Sequence, residues 1–307
     1  MNKTKLKGNL TLLLTAIIWG TSFIAQSLGM ESISPSSFIG VRCILGATVL
    51  VPVILIIDRI KKKKGERVQP INKTLITGGV ICGVVLFVAS YLQTAGLVYT
   101  SPGKSGFITA LYMVFIPIAG LFMGKKLSPI VPVCVVIAVL GMYLLCIDSS
   151  FTINRGDVLT LICALFFTAH IMVIDIYSPQ VDGVKLSCIQ FYVCGVLGLI
   201  AMFFDTPKFE VSSIIACWRP IAYSGIMSCG IAYTLQIVGQ KYTDPTSASI
   251  IMSLESVVAT LSTVVLVAIG WDLTGGALTM REIMGCVLMF VAIMLVQLID
   301  IKKENVE

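Results

Sequence analysis

Charged residues are scarce in this chain. Lys and Arg number 22 and Asp and Glu 16 among 307 residues, 12% of the total, against roughly 25% in an ordinary soluble domain. So few cannot cover a water-exposed surface, which excludes a soluble enzyme. Histidine occurs once, at position 170, so no histidine cluster is available for metal binding. The sequence has no HExxH, GxSxG or GxGxxG pattern, no phosphate-binding loop and no pair of intramembrane aspartates. The missing phosphate loop excludes a self-contained ATP-driven pump. There is no CxxC pair either. Most of the ten cysteines fall inside apolar runs, where a thiol behaves as a small hydrophobe. No cofactor and no metal is expected.

What the chain has is apolar length. Hydrophobic residues make up 57% and the mean hydropathy is +0.97. Apolar runs cover about 9–29, 36–57, 74–97, 102–123, 129–147, 157–177, 185–204, 218–240, 245–270 and 282–300. About 20 apolar residues cross a bilayer, and a helix is the only non-barrel way to satisfy the backbone there. The expectation is an all-α polytopic membrane protein with ten transmembrane helices, in contact with membrane lipids.

The basic residues set its orientation. With the N-terminus inside, the inner segments hold Lys3, Lys5, Lys7, the run Arg59 to Lys73, Lys125, Lys126, Lys185, Lys241, Lys302 and Lys303, 16 in all. The outer segments hold Lys104, Arg155, Lys208, Arg219 and Arg281, only 5, and Arg42 lies within a span. The excess places both termini in the cytoplasm, and the cytoplasmic membrane is the expected location. The net charge of +6 therefore reads as membrane topology, and no nucleic-acid partner is expected.

The chain repeats itself. Residues 92–102 read LQTAGLVYTSP and residues 235–245 read LQIVGQKYTDP, six identities at an offset of 143. An offset of 148 sets Trp19 against Phe167 and Arg42 against Gln190. Two five-helix units follow, residues 1–147 and 148–307. Five is odd, so the second unit is inverted in the membrane, an arrangement found in transporters with their substrate site near the midplane. Two readings of the repeated motif stand side by side. Ser101 and Asp244 can cap the next helix, with Pro102 and Pro245 in its first turn, or the motif forms two related gates through Gln93, Tyr99, Gln236 and Tyr242.

Depth picks out the candidate site. Glu255 lies ten residues after Pro245, about 15 Å into its helix at 1.5 Å per residue. Its repeat partner Tyr112 is equally deep, and Trp19 and Phe167 fall near the same level. These four are the candidate substrate-binding residues. An ionisable residue at the midplane normally faces a bundle interior or a wet cavity, so Glu255 can carry a proton, bind a cationic amine, or sit protonated between helices as a structural group. His170 is a second candidate proton carrier. For Arg42 the expectation is a structural role, snorkelling or pairing with an acid.

The residues resemble the drug/metabolite transporter superfamily, specifically its EamA-type ten-helix members. Helix 1 carries A-x-x-W-G-x-x-F at Ala16, Trp19, Gly20 and Phe23, helix 2 carries Arg42, and helix 9 reads Leu254-Glu255-Ser256-Val257-Val258-Ala259. Ser256 stands where the family usually has proline, and Lys125 where a glutamate often follows Gly124; Asp272 keeps an acid after helix 9. The resemblance implies secondary transport, commonly export of amino acids, other metabolites or toxic compounds, and not enzymatic activity. A membrane-embedded lipid-modifying enzyme is the alternative, but it would need a polar cluster at one membrane face. A passive channel is a third reading.

The charge distribution gives the first prediction. On a cysteine-free background, single cysteines in the 61–67 loop should resist an impermeant reagent in intact cells, and one at Ser150 should react. The reverse labelling pattern would overturn the orientation.

Overall fold

The computed structural model describes residues 3–100, 102–124, 129–146, 153–205, 210–270 and 279–304. The Ser101 cap, Lys125, Asp272 and the loop at Ser150 lie outside the described residues. Among the described residues ten helical rods follow one another, with short helical turns at Met202–Phe204 and Val211–Ala216 between the seventh and the eighth. The rods are α1 (Lys3–Met30), α2 (Pro35–Lys63), α3 (Lys73–Leu97), α4 (Pro102–Ala110 and Tyr112–Phe122) and α5 (Val131–Cys146), then α6 (Arg155–Tyr177) and α7 (Gly183–Ala201). The last three are α8 (Trp218–Tyr223, Ser224–Ala232 and Tyr233–Gln240), α9 (Pro245–Met252 and Glu255–Ala268) and α10 (Met280–Glu304). No strand occurs among the described residues.

Among the described residues, eight of these rods are long and apolar enough to cross a membrane. The described part of α5 is 16 residues, and it lies along α10. Polar side chains fix where helices begin. Ser34 accepts the Ser37 N–H ahead of Pro35, Asn72 accepts that of Leu75, and Asp244 accepts that of Ser247 ahead of Pro245. Asn154 and Asp157 form a reciprocal capping box at the start of α6. Each such cap satisfies donors that the helix cannot, worth roughly 0.5–2 kcal/mol.

The rods pair mainly across the two halves. α2 packs on α7 and α5 on α10, each against its own repeat mate. α3 packs on α6 and, correspondingly, α1 on α8. Glycine makes this approach possible. A Cβ on Gly96 would lie 2.5 Å from Thr160 Oγ1, and one on Gly8 would lie 2.8 Å from Thr243 Oγ1. Lipid gives no hydrophobic drive between helices, so close packing of small residues does that work.

The repeated motif sits at these two places. At one end of the bundle, Tyr99 Cβ lies 2.9 Å from where a Cβ on Gly156 would stand, and Thr100 Oγ1 donates to Asp157 Oδ1 at 2.9 Å. At the other end Tyr242 Cβ faces Gly8 in the same way, and Thr243 Oγ1 donates to Asn9 Oδ1 at 2.9 Å. Lys104 Nζ pairs with Asp157 Oδ2 at 2.6 Å. Thus the third-helix turn docks on the start of α6, and the eighth-helix turn docks on the start of α1.

The basic run after α2 also has a packing role. Lys61 Nζ meets Asp182 Oδ2 at 2.9 Å, and Lys185 Nζ meets Asp58 Oδ2 at 2.9 Å. These two pairs fasten the end of α2 to the start of α7, where Asp182 also accepts the Val184 and Lys185 N–H groups. Burial works against the charge on Asp182, but the Lys61 ammonium and the Lys185 N–H outweigh it and hold the carboxyl below its usual range.

A carboxyl depressed in the fold stabilises it above its unfolded pKa of about 3.9 and loses that effect as acid protonates the folded form. Asp182→Asn keeps the cap and removes the charge. In detergent it should melt below the parent protein at neutral pH, with the gap narrowing as acid protonates the folded carboxylate. Asp182→Ala should lose about 1 kcal/mol more through the cap. A gap for Asp182→Asn that persists in strong acid would rule out the ion pair as its source.

Candidate functional site

Helices α4 and α9 are interrupted at the same place in the repeat. One breaks at Leu111 and the other at Ser253 and Leu254, directly before Tyr112 and Glu255. The backbone tightens there to i−3 bonds, Leu111 N–H to Ile108 O at 3.2 Å and Leu254 N–H to Ile251 O at 3.3 Å. Hydroxyls accompany the second break, since Ser253 Oγ donates to Ile250 O and Ser256 Oγ to Ser253 O. A side chain that bonds the preceding turn competes with the helix ladder and bends it. The two interruptions bring Tyr112 and Glu255 together, with Tyr112 Oη donating to Glu255 Oε1 at 3.1 Å. Both are buried.

α8 departs from regular helix as well. Residues Ser224–Ala232 form a π-helical stretch that ends directly before Tyr233. Wide turns of this kind appear often at functional sites because they re-aim the side chains beside them. Here the Tyr233 ring meets Trp19 with centroids 4.6 Å apart, Phe191 at 5.4 Å and His170 at 6.1 Å.

Together these elements enclose one cavity. The first half contributes Trp19, Phe23, Gln26, Arg42, Gln93, Thr109 and Tyr112, and the second Phe167, Ile171, Ser228, Tyr233, Gln236 and Glu255. Its volume is about 30 Å³, room for one or two waters at roughly 10–15 Å³ each and too little for an organic solute. The lining is under-satisfied. Trp19 Nε1, Gln26 Oε1, Arg42 Nε and Gln236 Oε1 are buried without a hydrogen-bond partner, whereas nearly all buried polar atoms in folded proteins have one.

The cavity thus gathers Trp19, Tyr112, Phe167, Glu255, Gln93 and Gln236 from the residues singled out by repeat and depth. Gln93 Nε2 is held by Thr109 Oγ1 at 3.1 Å. Tyr99 and Tyr242 are elsewhere. They are exposed, with their Cβ atoms on the docking glycines Gly156 and Gly8. His170 is fully buried behind Tyr233, with Nε2 3.0 Å from Gln190 Oε1, and does not line the cavity. Five lining residues escape a reading based on repeats and depth: Gln26, Thr109, Ile171, Ser228 and Tyr233. For Gln26 a signal exists, because Trp19, Phe23 and Gln26 fall at i, i+4 and i+7 on one helical face. Arg42 is the larger surprise. Among the described residues no carboxylate lies in ion-pair range of it, and its guanidinium stacks 5.2 Å over the Phe38 ring.

The family model for the EamA-like transporter family matches residues 6–147 and 154–298. The chain belongs to the EamA-like transporter family. An uncharacterized transporter of Archaeoglobus fulgidus is 31% identical over 96% of this chain and 87% of its own. Another, from Bacillus subtilis, is 19% identical over 71% of this chain and 74% of its own. A crystal structure at 17% identity covers 97% of this chain and 98% of its own with a TM-score of 0.73, a likeness of fold alone. The chain is a multi-pass membrane transporter.

In this EamA-like transporter the Tyr112–Glu255 bond joins the two halves at the cavity. Tyr112→Phe removes the donor and leaves a buried acceptor unmatched, which should destabilise the protein by about 1–3 kcal/mol. Thermal unfolding in detergent reads this, and an unchanged melting temperature would show that the bond adds nothing to stability.

Proposed function

We propose that this protein exports a small organic solute, an amino acid, a related metabolite or a drug, across the cytoplasmic membrane by alternating access of its two five-helix halves. The observation that carries this reading is the cavity itself. It is lined from both halves, lies at two matching helix interruptions, and holds buried polar atoms without partners. Interrupted helices at the interface of inverted repeats are where transporters of other folds bind their substrates. A cavity of water size admits an organic solute only when the helices around it separate.

Within the cavity Trp19, Phe167 and Tyr112 present the aromatic surface on which an organic solute rests. Gln93 and Gln236 occupy matching positions toward opposite ends and serve as gate residues. Glu255 is the proton carrier or the partner of a cationic amine, because it lines the cavity and shares its hydrogen bond with a helix of the other half. His170 has its Nε2 committed to Gln190 and stands behind Tyr233, which supports Glu255 over His170 in that role. Both termini face the cytoplasm in this reading.

Purified protein in liposomes tests it. A carrier gives saturable flux with counterflow for at least one solute, found by screening cells for resistance to amino acids, their analogues and cationic drugs. Flux that never saturates points to a channel, and conversion of a lipid without flux points to an enzyme. Glu255→Gln should leave the protein folded and alter flux, abolishing the change in rate that the parent shows across neutral pH. A parent-like pH profile in that variant would return Glu255 to a structural role.

A further inference from the structure

Arg42 is charged at every accessible pH and is only 3% exposed, yet it has no carboxylate in reach among the described residues. Its neighbours are the Phe38 ring, the Tyr233 phenol and the thiols of Cys43, Cys194 and Cys229. The thiols lie close together, Cys43 Sγ being 3.6 Å from Cys194 Sγ and 4.0 Å from Cys229 Sγ. An uncompensated charge is expensive to bury, and a planar guanidinium is the group best suited to receive a carboxylate. Its Nε is unpartnered, it lines the cavity, and the Nε1 donor of Trp19, which lines the same cavity, is unpartnered too.

We infer that Arg42 is the anion-binding residue of the cavity and that the transported solute carries a carboxylate, which Arg42 and the Trp19 indole receive while Glu255 and Tyr112 line another part of the same cavity. This inference rests on the transport reading and sharpens it. Cationic drugs without an acidic group fall outside the substrate class. The residue at the matching position of the second half, Gln190, is neutral and bonded to His170, so the cavity has one anion subsite and not a symmetrical pair.

The test uses the full chain in detergent, with simple acids as probes. Melting temperature is read against a panel of amino acids and monocarboxylates, each beside its uncharged amide, with chloride alone as a further arm. At least one acid should raise the melting temperature where its amide does not. Arg42→Gln should weaken that response about tenfold or more, and Arg42→Lys should weaken it less. Arg42→Met, which removes an unpaired buried charge, should melt without ligand at or above the parent temperature.

Acids and amides acting alike, no acid acting at all, or a parent-like response in Arg42→Gln would each overturn the assignment. A shift with chloride equal to that with the acids would reduce the subsite to an inorganic anion site. A marked fall in the ligand-free melting temperature of Arg42→Met would make Arg42 structural. Failure of transport itself shows separately, as absence of saturable flux in liposomes, whatever the melting arms give.

Discussion

Backbone-to-backbone approach between helices of opposite halves is the constraint on which this structure depends. Gly40 and Gly198 lie so close that a Cβ on Gly198 would stand 2.6 Å from Gly40 N. Gly141 sits against Gly285 O, Gly83 against Gln190 O and Gly20 against Glu255 O, each within 3 Å of where its own Cβ would be. Dispersion between packed atoms falls away over less than an ångström, so seams of this kind are either closed or lost. They also decide what lines the cavity. Gly20 lets α1 approach α9 beside Glu255, and Gly46 lets α2 approach the π-helical part of α8 at Gly225 and Cys229.

The halves agree where they dock and differ where they enclose space. Gly8 and Gly156, Tyr242 and Tyr99, Thr243 and Thr100, Asn9 and Asp157 repeat one another in sequence and in contact. At the cavity the correspondence dissolves: Tyr112 faces Glu255, Trp19 matches Phe167, and Arg42 matches Gln190. The two docking turns thus share one geometry, whereas the cavity lining differs chemically between the halves.

Much of this is legible in the residues alone. Ten apolar runs follow from hydropathy, and the likeness of the two docking turns follows from six identities at one offset. The pairing of Tyr112 with Glu255 follows from depth, because equal spacing from Pro102 and Pro245 puts both side chains at one level. The helix interruptions at Leu111 and Leu254 are not legible, since neither position is proline or glycine and the tightened turns arise from tertiary packing and from Ser253 and Ser256. Tyr99 and Tyr242 recur in sequence, and the fold shows both with their Cβ atoms against a glycine at the start of a helix in the other half. Lys61 is hidden among like charges, and only the fold shows it reaching Asp182. Arg42 reads as structural because a single chain cannot reveal the absence of an acid across the interface.

The two docking turns are geometric equals with unlike chemistry. At the α6 start the threonine hydroxyl bonds a carboxylate that also holds Lys104; at the α1 start the same hydroxyl bonds a neutral amide. Acid can protonate the first acceptor and has nothing to protonate in the second, and dissolved ions screen the first pairing and not the second. Two turns of matching geometry thereby differ in how they meet the surrounding medium, one responding to acid and salt and the other to neither.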